Sequence, residues 1–462
     1  MLKPEFEIKS LLPRSRLCIN GLNSFTSMDI YQQHESTELN SLLDLVKWPY
    51  CPLKEFTFND STSPKETQYH ILNRKATYRV GETLEVLITA KDHMGRLKTC
   101  GGDFFQAKLH SPKRKAGVTG QLKDYGNGSY LATFLLPWPG EAHVNVRLIH
   151  SSEAISMLKE KRDKYPEKIF FNGYFESKGV REITECNLKV SGKDVCEYKD
   201  PVSGDIWQCV RPETLPCDAR SGGCLKGHET SQIALIAQHS NNIKKLVYLI
   251  SKLPVCKMGQ EPPQPSGYYY QDKWTSLVCL AQHFPQSADA RACLRGRDIH
   301  MLGDSTVRQW FEYLEKFIPC EYFHLNNKSG PLLAAHGLPL RTSKTIVANL
   351  QYESAQISQI GGGPYTVVVI TLWAHFTIYP LDFYLQRLAR VRKAVESLLT
   401  RSPKTTVLIK SANTGYKSVY GSDWLSLQLD VLMRAAFKGM AVTVLDVWDM
   451  TSCHYLRDRI HP

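Results

Sequence analysis

Two short stretches hold the residue types that nucleophilic acyl chemistry needs, Gly303-Asp304-Ser305 and Asp458-Arg459-Ile460-His461. A serine hydroxyl is a weak nucleophile until an adjacent base takes its proton, and that base needs an acid to orient it. Ser305 supplies the hydroxyl, His461 the base and Asp458 the orienting carboxylate. Taken alone, Gly-Asp-Ser is also the composition of a turn followed by a helix N-cap. The surrounding pattern favours chemistry. Asp298-Ile299-His300-Met301-Leu302 reads as a short strand, Gly303-Asp304 as a turn, and Ser305 as the start of a helix. That helix presents Val307, Trp310, Phe311, Leu314 and Phe317 along one apolar face. The unpaired N–H groups and partial positive charge of its first turn can stabilise an oxyanion.

A strand–turn–helix of this kind needs a sheet to hold it. The sequence continues with strand Thr366–Trp373, helix Leu381–Leu399, strand Thr405–Lys410, helix Asp423–Phe437 with Ser422 as its N-cap, and strand Ala441–Val447. Apolar strands alternating with helices of these lengths predict a parallel, doubly wound sheet. Sites in such sheets lie beyond the C-terminal strand ends, which selects Ser305, His375, Asn413 and the segment after Val447. In that last segment Asp446 and Asp449 are alternative acids, and His454 is an alternative base.

Ahead of this domain the period is two. Leu84, Val86, Ile88 and Ala90 alternate with polar neighbours, and Val144, Val146 and Leu148 alternate with His143, Asn145 and Arg147. Each run reads as a strand with one buried face. Tyr125-Gly126-Asn127-Gly128-Ser129 is a turn, after which Tyr130–Leu135 resumes as a strand. Residues 55–165 therefore read as an immunoglobulin-like β-sandwich, and nothing in it points to catalysis. Residues 166–265 form a cysteine-rich connector with a helix over Ser231–Leu253, closed by Pro262, Pro263 and Pro265. Cys186, Cys196, Cys209, Cys217 and Cys224 crowd together without a CxxC pair or zinc spacing, so they read as a disulfide framework of open connectivity. A partial metal site at Cys217, Cys224 and His228 is the alternative, and the expectation is no metal.

The 462 residues carry 57 Lys+Arg against 45 Asp+Glu, a net charge of +12. With 42% hydrophobic and 22% charged residues the chain is globular, which excludes a disordered or collagen-like protein. The longest largely apolar run, Tyr365–Ala374, falls far short of the ~20 residues a membrane span needs. Basic charge is scattered, and the tightest run, Lys113-Arg114-Lys115, accompanies no nucleic-acid-binding motif. The thirteen cysteines cannot all pair with one another, and sequons stand at Asn59, Asn127 and Asn327. Cysteines and sequons together predict an oxidising lumen. Met1–Ser41 shows no apolar signal stretch, and residues 1–54 read as an atypical N-terminal segment.

Gly303-Asp304-Ser305-Thr306-Val307-Arg308 with the late Asp458-x-x-His461 resembles the PC-esterase branch of the GDSL/SGNH hydrolases. Gly267, Trp274 and Cys279 are similar to the Gly/Trp/Cys segment that opens that domain, and the sandwich with its connector resembles neurexophilin. The ordered pair resembles the NXPE family (neurexophilin and PC-esterase domain) from about residue 55 to the end. The resemblance implies an SGNH-like α/β domain over 266–462, with Ser305 as nucleophile, His461 as base and then acid, and Asp458 as orienter. It places Gly303, Asp304, Arg308 and His375 around the oxyanion or substrate, with Arg308 equally a solvated surface arginine and His375 equally a structural histidine. SGNH hydrolases carry an oxyanion-hole Asn after a central strand, where this chain has Ala374-His375. The family domain continues beyond the counterpart of His461, so this one is expected to be C-terminally truncated. The implied activity is O-acetyl transfer to, or removal from, sialylated or mucin-type glycans in the secretory pathway, with no bound cofactor and acetyl-CoA as acyl donor for a transferase. The other implied function is a secreted ligand that binds a cell-surface receptor through the sandwich, with a degenerate esterase domain behind it.

Overall fold

Between Gln68 and His150 the two-residue alternation becomes seven strands: β1 (Gln68–Ile71), β2 (Thr83–Thr89), β3 (Phe104–Ser111), β4 (Ala116–Thr119), β5 (Gln121–Asp124), β6 (Ser129–Leu135) and β7 (Ala142–His150). The computed structural model describes residues 41–49, 51, 57–72, 74–165, 170–191, 194–200, 204–225, 240–243, 253–318, 345–346, 351–415, 417–418 and 421–454. One sheet runs β1-β2-β6-β5, and β7, β3 and β4 belong to a second. Leu84, Val86 and Ile88 of the first meet Leu109, Val118 and Val144 of the second in a shared core. Each such aliphatic side chain contributes roughly 1.5–3 kcal/mol by leaving water. The β5–β6 turn needs Gly128, which has φ +81 and would drive a Cβ into the Lys98 backbone. Helix α1 (Ser152–Lys164) follows, its first turn capped by the Ser151 hydroxyl, which accepts from Ala154 N.

The connector builds an antiparallel sheet of its own from β8 (Phe171–Ser177), β9 (Val180–Asn187), β10 (Val195–Lys199), β11 (Ile206–Val210) and β12 (Arg220–Leu225). Disulfides Cys186–Cys209 and Cys196–Cys217 staple it, which removes Cys217 from any metal site. Cys51–Cys100 and Cys256–Cys279 complete the four described bridges, a density that belongs to an oxidising compartment. The helix expected over Ser231–Leu253 is not what forms at its centre. Ser240–Ile243 is β13, paired antiparallel with Asn145–Ala142. There the open edge of β7 supplies backbone partners that a local apolar period does not reveal; residues 231–239 and 244–252 lie outside the described set. Strands β14 (Gly267–Tyr270) and β15 (Lys273–Ser276) form a hairpin that pairs Tyr269 with Gly117 and completes the order β13-β7-β3-β4-β14-β15. Gly267 is required because the Trp274 indole lies over it, where a Cβ would stand.

The remaining elements are α2 (Ser287–Leu294), β16 (Asp298–Leu302), α3 (Ser305–Phe317), β17 (Thr345–Ile346), α4 (Glu353–Gln359), β18 (Thr366–Ile370), α5 (Leu381–Arg401), β19 (Thr406–Lys410), β20 (Lys417–Ser418), β21 (Gly421–Ser422), α6 (Asp423–Ala436), β22 (Thr443–Leu445) and α7 (Val447–Ser452). Strand β17 extends the connector sheet beside β12. Strands β16-β18-β19-β22 are parallel, as expected, but lie in sequence order, so among the described strands there is no reversal of a doubly wound kind. Both faces are nevertheless covered. Val307 of α3 packs with Ile299, Met301 and Val369 on one face. Leu388, Val391, Val395 and Leu398 of α5 and Leu429 and Leu432 of α6 pack on Val368, Ile370, Val407 and Ile409 of the other. Ser422 caps α6, accepting from Leu425 N at 3.2 Å. Among the described residues no helix is long and apolar enough to cross a membrane.

The outer face of β3, β4 and β7 is not left to solvent. Gln106 donates to Asp423 at 3.1 Å, Thr119 Oγ1 lies 2.6 Å from Ser452 Oγ, and Gly117 makes room for the Cys453 carbonyl. The β domain thus docks on α6, α7 and the residues just after α7.

Candidate active site

Ser305 is the first residue of α3, at the C-terminal end of β16, and is half-buried. The turn that puts it there depends on Gly303. At φ +137 its backbone presses on the Thr371 carbonyl, where any Cβ would collide. Asp304 caps the helix and faces inward. Its Oδ1 accepts from Thr306 N at 2.9 Å and from Thr306 Oγ1 at 2.7 Å. Its Oδ2 accepts from Ala374 N at 3.0 Å, which ties the serine turn to the loop after β18.

That loop carries His375, half-buried in a turn between Ala374 and Phe376. On the far side Asn413, buried after β19, accepts at Oδ1 from Lys410 Nζ at 2.7 Å. The same ammonium donates to Thr306 Oγ1 at 3.0 Å. Loops after β16, β18 and β19 therefore converge at one end of the sheet, bringing Ser305, His375 and Asn413 into one neighbourhood. Arg308, one turn into α3, is exposed and pairs with Glu312 at 3.6 Å. Lys410 was not singled out in the sequence. Its signal was a lysine ending an otherwise apolar strand, Thr-Val-Leu-Ile-Lys.

The segment after β22 is built into the same end. Ser411 Oγ accepts from Val447 N and Trp448 N at 2.7 and 3.0 Å, fixing the start of α7. Asp449 Oδ2 accepts from Ser266 N and Oγ at 2.8 and 3.1 Å, and burial with the nearby Asp446 charge pushes its pKa up to about 6. Asp446 pairs with Arg434 at 3.0 Å. The His454 ring meets Tyr269 edge-on at 4.9 Å, and burial together with the Lys108 charge lowers its pKa. Asp458 and His461 lie outside the described residues, as does Asn327; Asn59 and Asn127 are exposed. Among the described residues no group of three or more His, Cys, Asp or Glu is arranged to hold a metal. A separate cavity of about 500 Å³ lies between the β domain and α6–α7, lined by Gln106, Thr119, Asp430, Arg434, Asp446 and Asp449 among others. Neither Ser305, His375 nor Asn413 lines it.

Comparison with known proteins finds two family models that match separate parts of the chain. A family model described as neurexophilin matches residues 34–221. A second, described as NXPE family member 4-like, C-terminal domain, matches residues 274–462. Among solved structures, that of invasin, a bacterial integrin-binding protein, matches at 11% identity over 44% of this chain and 46% of its own, less than two thirds of its length. Its TM-score of 0.16 carries no argument about fold or function.

Proposed function

We propose that this chain, which belongs to the NXPE family, is a secretory-pathway enzyme that moves O-acetyl groups on glycans through an acyl-Ser305 intermediate. The observation that carries the reading is the placement of Ser305 on a glycine-dependent turn, at a parallel-strand end and on a helix N-terminus. The strand end sets Ser305 at the rim of the sheet where sites of such folds lie, and the helix N-terminus favours negative charge beside it.

In this mechanism Ser305 Oγ attacks the acyl carbonyl carbon while His461 takes its proton and Asp458 steadies the resulting imidazolium. The tetrahedral oxyanion forms near the Ser305 backbone N–H. Collapse breaks the bond to the leaving group, which receives the proton from His461. Water or a sugar hydroxyl, giving its proton to His461, then attacks the acyl-serine. The acyl–Oγ bond breaks, Ser305 Oγ takes the proton back from His461, and acetate (esterase) or an O-acetylated sugar (acetyltransferase) is released. Acetyl-CoA is the natural donor for the second outcome. The net charge of +12 attracts sialylated or mucin-type glycans at long range. The described disulfides fit a luminal or secreted setting.

The experiment compares wild type with Ser305→Ala on an activated acetyl ester and on acetyl-CoA plus a sialylated glycan. Turnover by wild type alone, with acetyl recovered on the Ser305 peptide, is the expected result. Equal turnover by both overturns the mechanism. No turnover, with binding to a cell-surface receptor retained, replaces it with the reading of a neurexophilin-like ligand behind a degenerate domain.

A further inference from the structure

Lys410 is wholly buried at the end of β19. An ammonium taken out of water needs an acceptor for each of its three N–H groups. Lys410 has them in Thr306 Oγ1 at 3.0 Å, Asn413 Oδ1 at 2.7 Å and the Ser411 carbonyl at 3.2 Å. These acceptors come from different parts of the fold. Thr306 sits next to Ser305 in the first turn of α3, whereas Ser411 and Asn413 belong to the loop after β19. The charged groups around the ammonium are Asp304, from the serine turn, and Asp430, from α6; Arg434 and Asp446 lie behind Asp430. The Trp310 ring of α3 stands 5.5 Å away. Burial brings the lysine down to a pKa of about 8, against the pull of the two carboxylates.

We propose that Lys410 is a positioning residue of the Ser305 site: its ammonium locks the first turn of α3 to the Asn413 loop and holds a positive charge at Thr306, the residue that follows the nucleophile. The proposal rests on the acyl-Ser305 reading. Partly offset by Asp304 and Asp430, the cation still adds to the field of the helix N-terminus, and charge already in place near a developing oxyanion costs no reorganisation during reaction. Deprotonation removes that charge and one of the three N–H donors, so the rate falls on the alkaline side as Lys410 titrates. A lysine that served only to fill space would leave no such limb.

The test uses the full chain as wild type, Lys410→Met and Thr306→Val, with p-nitrophenyl acetate hydrolysis read from about pH 6 to pH 10. Lys410→Met is expected to lower kcat on the order of 10- to 100-fold with little change in KM, and to abolish the alkaline limb. Thr306→Val loses less activity and keeps the limb. Wild-type kcat and an intact limb in Lys410→Met overturn the proposal. If Lys410→Met shows no cooperative melt, Thr306→Val decides, and an unchanged kcat there counts against the lock. Hydrogen exchange separates this from failure of the serine reading. If wild type is inactive, or Ser305→Ala is equally active, the serine reading falls, yet the lock still predicts joint loss of protection at residues 305–310 and 411–415 in Lys410→Met. Unchanged protection in both segments overturns it.

Discussion

Lys108 of β3 donates from Nζ to the backbone oxygen of His454, 2.6 Å away, across the junction between the β domain and the α/β domain. Around that bond Thr119 meets Ser452, Gly117 admits the Cys453 carbonyl, and Tyr269 packs on His454. Four residues of β-domain sheet thereby fix the stretch that leads, within seven residues, to Asp458 and His461. A domain whose sequence carries no catalytic pattern thus holds Ser452, Cys453 and His454 in place.

Lys108→Met leaves the His454 carbonyl without this charged donor. A hydrogen bond from a charged group is worth about 1.5–3 kcal/mol, and a loss of that size is expected in urea unfolding. Lys108→Arg should recover part of it. An unchanged midpoint in Lys108→Met would show that the junction does not depend on this bond.

The pH dependence of stability has a definite sign at Lys410. Its pKa falls from 10.5 in the unfolded chain to about 8 in the fold because burial penalises the ammonium. Between those values the unfolded state holds more protons, so Lys410 makes stability rise with pH across that window. The gain of wild type over Lys410→Met from neutral pH to above the upper value should approach about 3 kcal/mol. Parallel stability curves for the two proteins across that window would contradict it.

What the sequence revealed followed from local periods. Leu84, Val86 and Ile88 alternate in sequence and are buried in the shared core, and the strand–turn–helix around Ser305 forms where its apolar spacing predicts it. What it concealed was non-local. Gln106, Lys108 and Arg147 are polar at the alternate positions of their strands, a pattern that fits solvent and a polar neighbouring domain equally well. The hairpin from Gly267 to Ser276 looked like the opening of the C-terminal domain, yet its backbone partners lie in β4, a pairing no local pattern encodes. Lys410 was hidden for a related reason. A lysine at a strand end usually reaches water, and only the packing of α3, α6 and the loop after β19 around it makes it a buried charge.

Asp449 allows the proposed triad to be separated from a structural carboxylate. Its pKa is raised from 3.8 to about 6, chiefly by burial and then by Asp446. The folded state therefore holds the extra proton between those values, and stability is lost as pH rises through about 6. Asp449→Asn removes the charge but can still accept from Ser266, so it should stabilise the protein by about 1–3 kcal/mol at neutral pH and by little below pH 4. Its kcat should stay within about threefold of wild type, whereas loss of a triad's orienting acid costs on the order of 10⁴ in rate. A collapse of kcat in Asp449→Asn would move the orienting role from Asp458 to Asp449.

The connector sheet is held to the α/β domain by a buried charge cluster, which sets a stringent test of how the two cooperate. Asp205, ahead of β11, accepts from Arg387 of α5 at 2.7 Å and also pairs with Arg390. Arg387 has no exposed surface, and it donates to Glu353 of α4 at 3.2 Å. Its guanidinium lies 4.8 Å from the Tyr352 ring and 5.5 Å from that of Phe376, the residue after His375. Removing one partner from a buried ion cluster leaves an uncompensated charge, which costs about 3–5 kcal/mol. Asp205→Ala should therefore lose that much in urea unfolding. Because Arg387 touches the turn that carries His375, the same variant should also raise hydrogen exchange at residues 374–379, far along the chain from the mutation. A drop in stability without that change would confine the cluster to joining the connector; both together would make the connector sheet a support of the candidate site.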